Sequence, residues 1–385
     1  MNWKRTLFTF FLLLLSLSLA FISGYFTYER MHDGSTADLN ILEQARSVLE
    51  NHALYKLPSD TALEYGMIRG MLQAYGDPYT RFVEPNQHEL NSDNLEGSYG
   101  GIGAALDHDS EGYPILHPFP NSPASKASIL DGDRIILVDD LVVTKDTPID
   151  EIVAALRGPE GDSVDLTITR PPTHNSHSFT IQRESIPLPS VTWYLAPGNP
   201  EVGIIKINII AASTSEEVQN AATSLKQQGV LYYTLDLRGN GGGLVDAGVD
   251  IARLFLEAGD VLEEQYVGED IKTYSVTQAG ALAALPLVIL VDENTASAAE
   301  IVAGALQARE RALIIGQATY GKDSIQLVFD LEDNSSIHVT SAKWWIPGLG
   351  LSIGEHGLQP DITIESGENP DPVIEAAIQL LTRKP

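Results

Sequence analysis

Hydrophobic and polar positions follow different rhythms in successive parts of this chain. Thr6 to Phe26 has none: it runs 21 residues without a charge, behind Lys4 and Arg5. As a helix rising about 1.5 Å per residue it reaches roughly 31 Å, the depth of a bilayer's hydrocarbon core. With its basic flank, segment 1–28 reads as a single-pass anchor in the cell membrane, leaving everything after Tyr28 extracytoplasmic. Secretion after signal cleavage near Ser18-Leu19-Ala20 is the alternative, but apolar residues continue through Phe21, Ile22 and Phe26. Over 29–95 the spacing turns helical. Leu39, Leu42, Ala45, Val48 and Leu49 predict one helix, and Ala62, Leu63, Tyr65, Met67, Ile68 and Met71 a second, before Gly76-Asp77-Pro78 breaks the pattern.

Between 96 and 186 the period shortens. Residues 113–116, 134–138 and 164–169 read as strands, while Ile149, Ile152, Val153 and Leu156 fall at i, i+3, i+4 and i+7 of a helix. That mixture predicts a small α+β domain. After Leu188-Pro189, strands over 202–207, 231–237 and 287–291 alternate with helices over 214–228 and 247–256. Alternation of this kind, expected to the end of the chain, predicts an α/β core over 187–385 with helices covering a sheet. The whole is therefore an α/β multidomain protein.

At 385 residues the chain can bury two or three separate cores. A net charge of -28 argues against nucleic acid, which needs a basic face. Without cysteine there is no thiol catalysis and no disulfide, and the nine histidines show no metal-binding spacing. No cofactor or metal is expected.

The loop Arg238-Gly239-Asn240-Gly241-Gly242-Gly243 joins a buried strand to a helix. Consecutive glycines let backbone N–H groups converge on an anionic oxygen. The loop lacks the Gly-Lys-Ser/Thr ending of a phosphate loop, so an oxyanion hole for acyl transfer suits it better. Ser297 opens an apolar helix, near the positive end of its dipole, where a developing alkoxide is favoured. Ser297 and Glu300 equally spell a capping box, the ordinary role of such a serine. A nucleophilic serine needs a base, and a lysine whose pKa is lowered by burial can serve. Lys322 follows Gly321 in a loop setting, whereas the rivals Lys206 and Lys343 stand in an apolar strand and beside Trp344-Trp345.

Tyr99-Gly100-Gly101-Ile102-Gly103, Asn121-Ser122-Pro123-Ala124 and Asp131-Gly132-Asp133, in that order, resemble a PDZ domain. The resemblance implies that Gly100, Gly101, Ile102 and Gly103 offer N–H groups to a peptide's terminal carboxylate, the peptide adding as a strand. Ser128 departs from it, standing where such domains commonly carry glycine. Asp236 to Gly243, Asn294 to Leu306, Gly321 to Gln326 and Gly357 to Asp361, with Asp77-Pro78-Tyr79-Thr80 upstream, closely resemble the carboxy-terminal processing peptidases. These are serine proteases of the tail-specific, S41 type with a PDZ domain. The resemblance implies a crotonase-like α/β protease core, an inserted PDZ domain, and N-terminal helices behind the anchor.

It further implies that Ser297 is the nucleophile of a serine endopeptidase, Lys322 its general base, and Gln326 the residue that orients the lysine amine. The oxyanion donors fall on the N–H of Ala298 and of Gly242 or Gly243, a choice left open. Arg157, at the end of the PDZ helix, is implied to report peptide binding to the core. Asp323 stands where the family usually has glycine and is expected to point into solvent. Expected partners are protein or peptide substrates bound through their C-termini, the membrane through the N-terminal helix, and a second copy in a homodimer. Two rival readings are a membrane-tethered PDZ binding protein with an inactive core and a crotonase-like acyl-CoA enzyme. The complete set of Ser297, Lys322 and Gln326 argues against the first. The PDZ region and the extracytoplasmic setting, where coenzyme A is scarce, argue against the second.

Overall fold

The computed structural model describes residues 40–383 apart from 174, 351–352, 366 and 368–370. The apolar run 6–26 lies outside these residues, and no helix among them is long and apolar enough to cross a membrane. Helices α1 (Asn40–His52) and α2 (Asp60–Tyr75) carry the helical spacing of the lead-in. Packing divides the chain after Met71, and residues from Leu72 onward form one compact unit. Within that unit the helical reading of 29–95 needs a correction. Arg81–Val83 is a strand, β1, that joins a sheet of the core, where Val83 is buried. Helix α3 (Pro85–Glu96) follows, with proline in its first turn and left-handed Gly97 at its end.

The chain then leaves the core for a small β unit. It comprises β2 (Ser98–Gly101), β3 (Ala104–His108), β4 (Pro114–Pro118), the short helix α4 (Pro123–Lys126), β5 (Asp133–Val138) and β6 (Leu141–Val142). Helix α5 (Ile149–Leu156), β7 (Ser163–Arg170), β8 (Asn175–Gln182) and β9 (Glu184–Pro187) complete it. An antiparallel sheet runs in the order β3-β4-β5-β7-β8, with β6 on β5. Along β7, Val164, Leu166 and Ile168 are buried while Ser163 and Asp165 face out, the period-2 pattern that pins a strand's register. Ile152 and Leu156, one helical turn apart, bring α5 onto the same core. Ser128 adopts φ 68, the left-handed conformation for which glycine is better suited. β2 and β9 pair antiparallel, so the unit's entry and exit lie side by side, and with β1 already in the core the unit is an insertion.

The core comprises β10 (Val191–Ala196), β11 (Asn199–Ile207), α6 (Thr214–Gln227), β12 (Tyr232–Asp236), α7 (Val245–Phe255), β13 (Asp260–Tyr266) and β14 (Lys272–Ser275). It continues with β15 (Leu287–Val291), α8 (Ala298–Ala308), β16 (Leu313–Gly316), β17 (Ser324–Asp330) and β18 (Ser336–Trp345), then α9 (Ile353–His356), β19 (Ile362–Thr363) and α10 (Pro372–Thr382). A six-stranded sheet, β10-β11-β12-β15-β16-β19, is parallel except for β10. β15 shows why its sequence is unbroken apolar. Leu287, Ile289 and Val291 face the core shared with α6, α7 and α8, while Val288 and Leu290 face that of α10. The expected strand–helix alternation fails at two places. β13 and β14, and β17 and β18, are antiparallel hairpins that build a second sheet, β1-β18-β13-β14 with β17 on β18.

Candidate active site

β12, β15 and β16 are adjacent and parallel, so their carboxyl ends open on one edge of the sheet. Ligand sites of open α/β sheets form at such edges. The glycine loop 238–243 follows β12, Ser297 follows β15, and Lys322 follows β16. All three border one cleft of about 650 Å³, which Gln326 also lines.

Ser297 has φ 55 and ψ -121, a backbone state that a residue with a side chain adopts at a cost of about 1–3 kcal/mol. Glu300 secures it: the Ser297 N–H donates to Glu300 Oε2 at 2.7 Å, and the Glu300 N–H donates to the Ser297 carbonyl at 2.8 Å. The same carboxylate, fully buried, accepts the Thr319 hydroxyl, the Gly321 N–H at 2.8 Å and the Lys322 N–H at 3.0 Å. One side chain thus joins the serine segment to the lysine segment. Burial pushes its carboxyl up, and these donors pull it down. The capping-box spacing was visible in the sequence, but the grip on 319–322 depends on a fold-level contact that no local pattern encodes.

The Lys322 ammonium donates to Gln326 Oε1 at 3.0 Å, and the Gln326 amide donates to the Tyr79 carbonyl. The Tyr79 ring lies 5.5 Å from Lys322 Nζ, within cation–π range. Burial first, then the charge of Arg81, holds the Lys322 pKa below the ordinary lysine value, while Glu300 and Asp77 oppose that. Among the described residues Lys322 Nζ hydrogen-bonds to Gln326 and not to the Ser297 hydroxyl. Catalytic hydrogen bonds are often long or poorly aligned before substrate binds. Lys206 and Lys343 do not line the cleft. Asp323 does not point into solvent as expected. Its side chain is only 25% exposed and covers Gly354, whose added Cβ would lie 2.2 Å from Asp323 Oδ2.

Asn240, fully buried, shapes the glycine loop. Its amide donates to the Ile207 carbonyl at 2.9 Å, its Oδ1 accepts the Gly242 N–H at 2.8 Å, and its carbonyl accepts the Ala296 N–H at 2.9 Å. The Gly242 N–H is therefore engaged. Gly243 bridges to Ile210 through its neighbours, the Ile210 N–H donating to Gly242 and the Leu244 N–H to Ile210, each at 2.9 Å. Its own N–H has no acceptor among the described residues. Ala298 is the first residue of α8, where an N–H has no carbonyl one turn back.

In the small β unit, a groove of about 170 Å³ runs between β3 and α5, lined by Gly101, Ile102, Gly103, Val153, Leu156 and Arg157. β3 is an edge strand, so its open side can accept an added strand. Gly100 and Gly101 both pair with β9, opposite Ser185 and Glu184, but Gly100 does not line the groove, and its carbonyl accepts the Gly158 N–H at 3.1 Å. Arg157 donates to Asp93 of α3 at 2.7 Å and stacks 4.2 Å over the Tyr99 ring.

Comparison with known proteins agrees with this architecture. Residues 201–364 match the model of peptidase family S41, and residues 119–170 match that of the PDZ domain. The chain is 34% identical over 330 residues to a carboxyl-terminal-processing protease of Picosynechococcus sp., covering 83% of this chain and 79% of that one. It is 32% identical over 370 residues to the carboxy-terminal processing protease CtpA of Bacillus subtilis, covering 94% and 78%. A carboxyl-terminal-processing protease of Synechocystis sp. is 36% identical over 330 residues, with 83% and 77% covered. The chain belongs to the carboxyl-terminal-processing proteases, serine-type peptidases of family S41 with a PDZ domain.

Proposed function

We propose that this chain is an endopeptidase in which Ser297 and Lys322 form a catalytic dyad. Neutral Lys322 takes the Ser297 hydroxyl proton as the oxygen attacks a peptide carbonyl. The N–H groups of Gly243 and Ala298 receive the oxyanion, Gly243 being preferred to Gly242, whose N–H is held by Asn240. The tetrahedral intermediate collapses, the C–N bond breaks, and the Lys322 ammonium returns its proton to the departing amine. Water, deprotonated by Lys322, then attacks the acyl ester and restores Ser297. Gln326 orients the amine, itself fixed by the Tyr79 carbonyl. The PDZ groove takes substrate C-termini through the N–H groups of Gly101, Ile102 and Gly103, which line it, whereas Gly100 does not. The uncharged run 6–26 supports an extracytoplasmic setting for the folded part.

The observation that carries this reading is one cleft holding Ser297, Lys322 and the glycine loop, with Glu300 joining the first two through their backbones. Casein cleavage by residues 29–385 tests it. Wild type should cleave, and Ser297→Ala and Lys322→Ala should each lose activity at least a thousandfold while melting as wild type does. Retained activity in Lys322→Ala would move the base elsewhere. Absence of cleavage by wild type across pH would instead fit a PDZ peptide-binding role.

A further inference from the structure

We infer that Arg81 is the carboxylate-recognising residue of the catalytic cleft, binding either the substrate's free C-terminal carboxylate or an Asp or Glu side chain beside the scissile bond. This role presumes Ser297 and Lys322 as the reacting pair. Arg81 of β1 stands opposite His338 of β18, and His338 stands opposite Val328 of β17. Directly opposed residues project to the same face of a sheet, and all three line the cleft that contains Ser297 and Lys322. Arg81 is exposed, and its guanidinium makes no ion pair or hydrogen bond among the described residues.

An unpaired guanidinium is unexpected in a chain with 52 acidic and 24 basic residues. Arg134, Arg157, Arg170, Arg238 and Arg253 each hold a carboxylate of the chain itself. The cleft's other long cations are engaged, Lys272 with Glu264 at 3.2 Å and Lys322 with Gln326 at 3.0 Å. Glu264 pairs with Trp344, six positions along β18 from His338, which at about 3.3 Å per residue places it roughly 20 Å along the strand from Arg81. Asn91 and Asn94 of α3 also line the cleft, with neutral amides, as does its second carboxylate, Asp246 of α7. A planar fork of N–H donors, free and facing the reacting groups, matches a carboxylate in two-point contact.

The test uses the full chain and fluorogenic peptides sharing one scissile sequence. One pair differs only in a C-terminal acid or amide, another only in Asp or Asn next to the cut. KM and kcat are measured for wild type, Arg81→Gln and Arg81→Lys, each at its own optimal pH. Wild type should show a KM about tenfold lower for the carboxylate member of one pair, Arg81→Gln should lose that difference, and Arg81→Lys should keep part of it. The pair in which Arg81→Gln abolishes the difference identifies the source of the carboxylate, since an acid–amide difference that belongs to the PDZ groove persists in that variant. A KM ratio unchanged by Arg81→Gln, or no carboxylate preference in wild type, would overturn the assignment. Cleavage that survives Ser297→Ala would instead locate the failure in the catalytic reading.

Discussion

As the base we propose, Lys322 must lack its proton, and its surroundings oppose one another on that point. Burial and then Arg81 favour the neutral amine, while Glu300 and Asp77 favour the ammonium. Because the neutral form lies above the pKa, activity should rise as pH rises through it, at a pH below that of an ordinary lysine. Arg81→Gln removes one depressing charge, so the acid limb of its kcat profile should move to higher pH, read from initial rates across a pH series. His338, pushed down to about 4 chiefly by burial, stays neutral throughout that range and should leave no inflection of its own. Glu300→Gln replaces an acceptor of four donors with one that accepts fewer. We expect at least a tenfold loss of kcat and about 2–3 kcal/mol of stability, measured by urea melts. At this scale Ser297, Lys322 and Gln326 were singled out through the motifs that carry the family resemblance, and the structure brings all three to one cleft. Tyr79 and Glu300 were quoted for other reasons, and their contacts, like that of Thr319, cross from one segment to another.

The elements matter because three neighbouring parallel strands end on one edge, each delivering one part of the site. The glycine loop is held there by Asn240 and by the bridge to Ile210. Asn240→Ala would leave the Gly242 N–H and the Ile207 carbonyl unpaired in a buried place. It should cost about 2 kcal/mol and lower kcat more than it raises KM. Gly243→Ala is harsher: at φ 151 an added Cβ would lie 1.9 Å from the Ile210 carbonyl oxygen. The loop must shift, and loss of the oxyanion donor proposed there should cut kcat by about a hundredfold or more with the fold retained. The buried parallel strands and α5, α6 and α7 could be read from the chain, since an apolar run or a helical period is a local signal. β1, with three residues, gave none. β13, β14, β17 and β18 are half-exposed strands whose pairing is set by partners distant in sequence, so the second sheet was missed.

Across the whole molecule, the PDZ unit meets the core not only through β2 and β9 but through the Arg157–Asp93 ion pair, both side chains largely buried. α3 therefore touches the groove side through Asp93 and the catalytic cleft through Asn91, Asn94 and Leu95. Arg157→Met should loosen that tie, speeding amide hydrogen exchange in α3 and α5 while leaving exchange in β15 unchanged. The central claim, that Lys322 activates Ser297, is tested most directly by covalent labelling. The rate of reaction with a fluorophosphonate probe would be followed against pH in wild type and Lys322→Ala, with the adduct mapped by mass spectrometry. We expect one adduct, on Ser297, forming faster as pH rises through a single step, and almost none in Lys322→Ala. An adduct on another residue, or equal labelling of Ser297 without Lys322, would contradict the dyad.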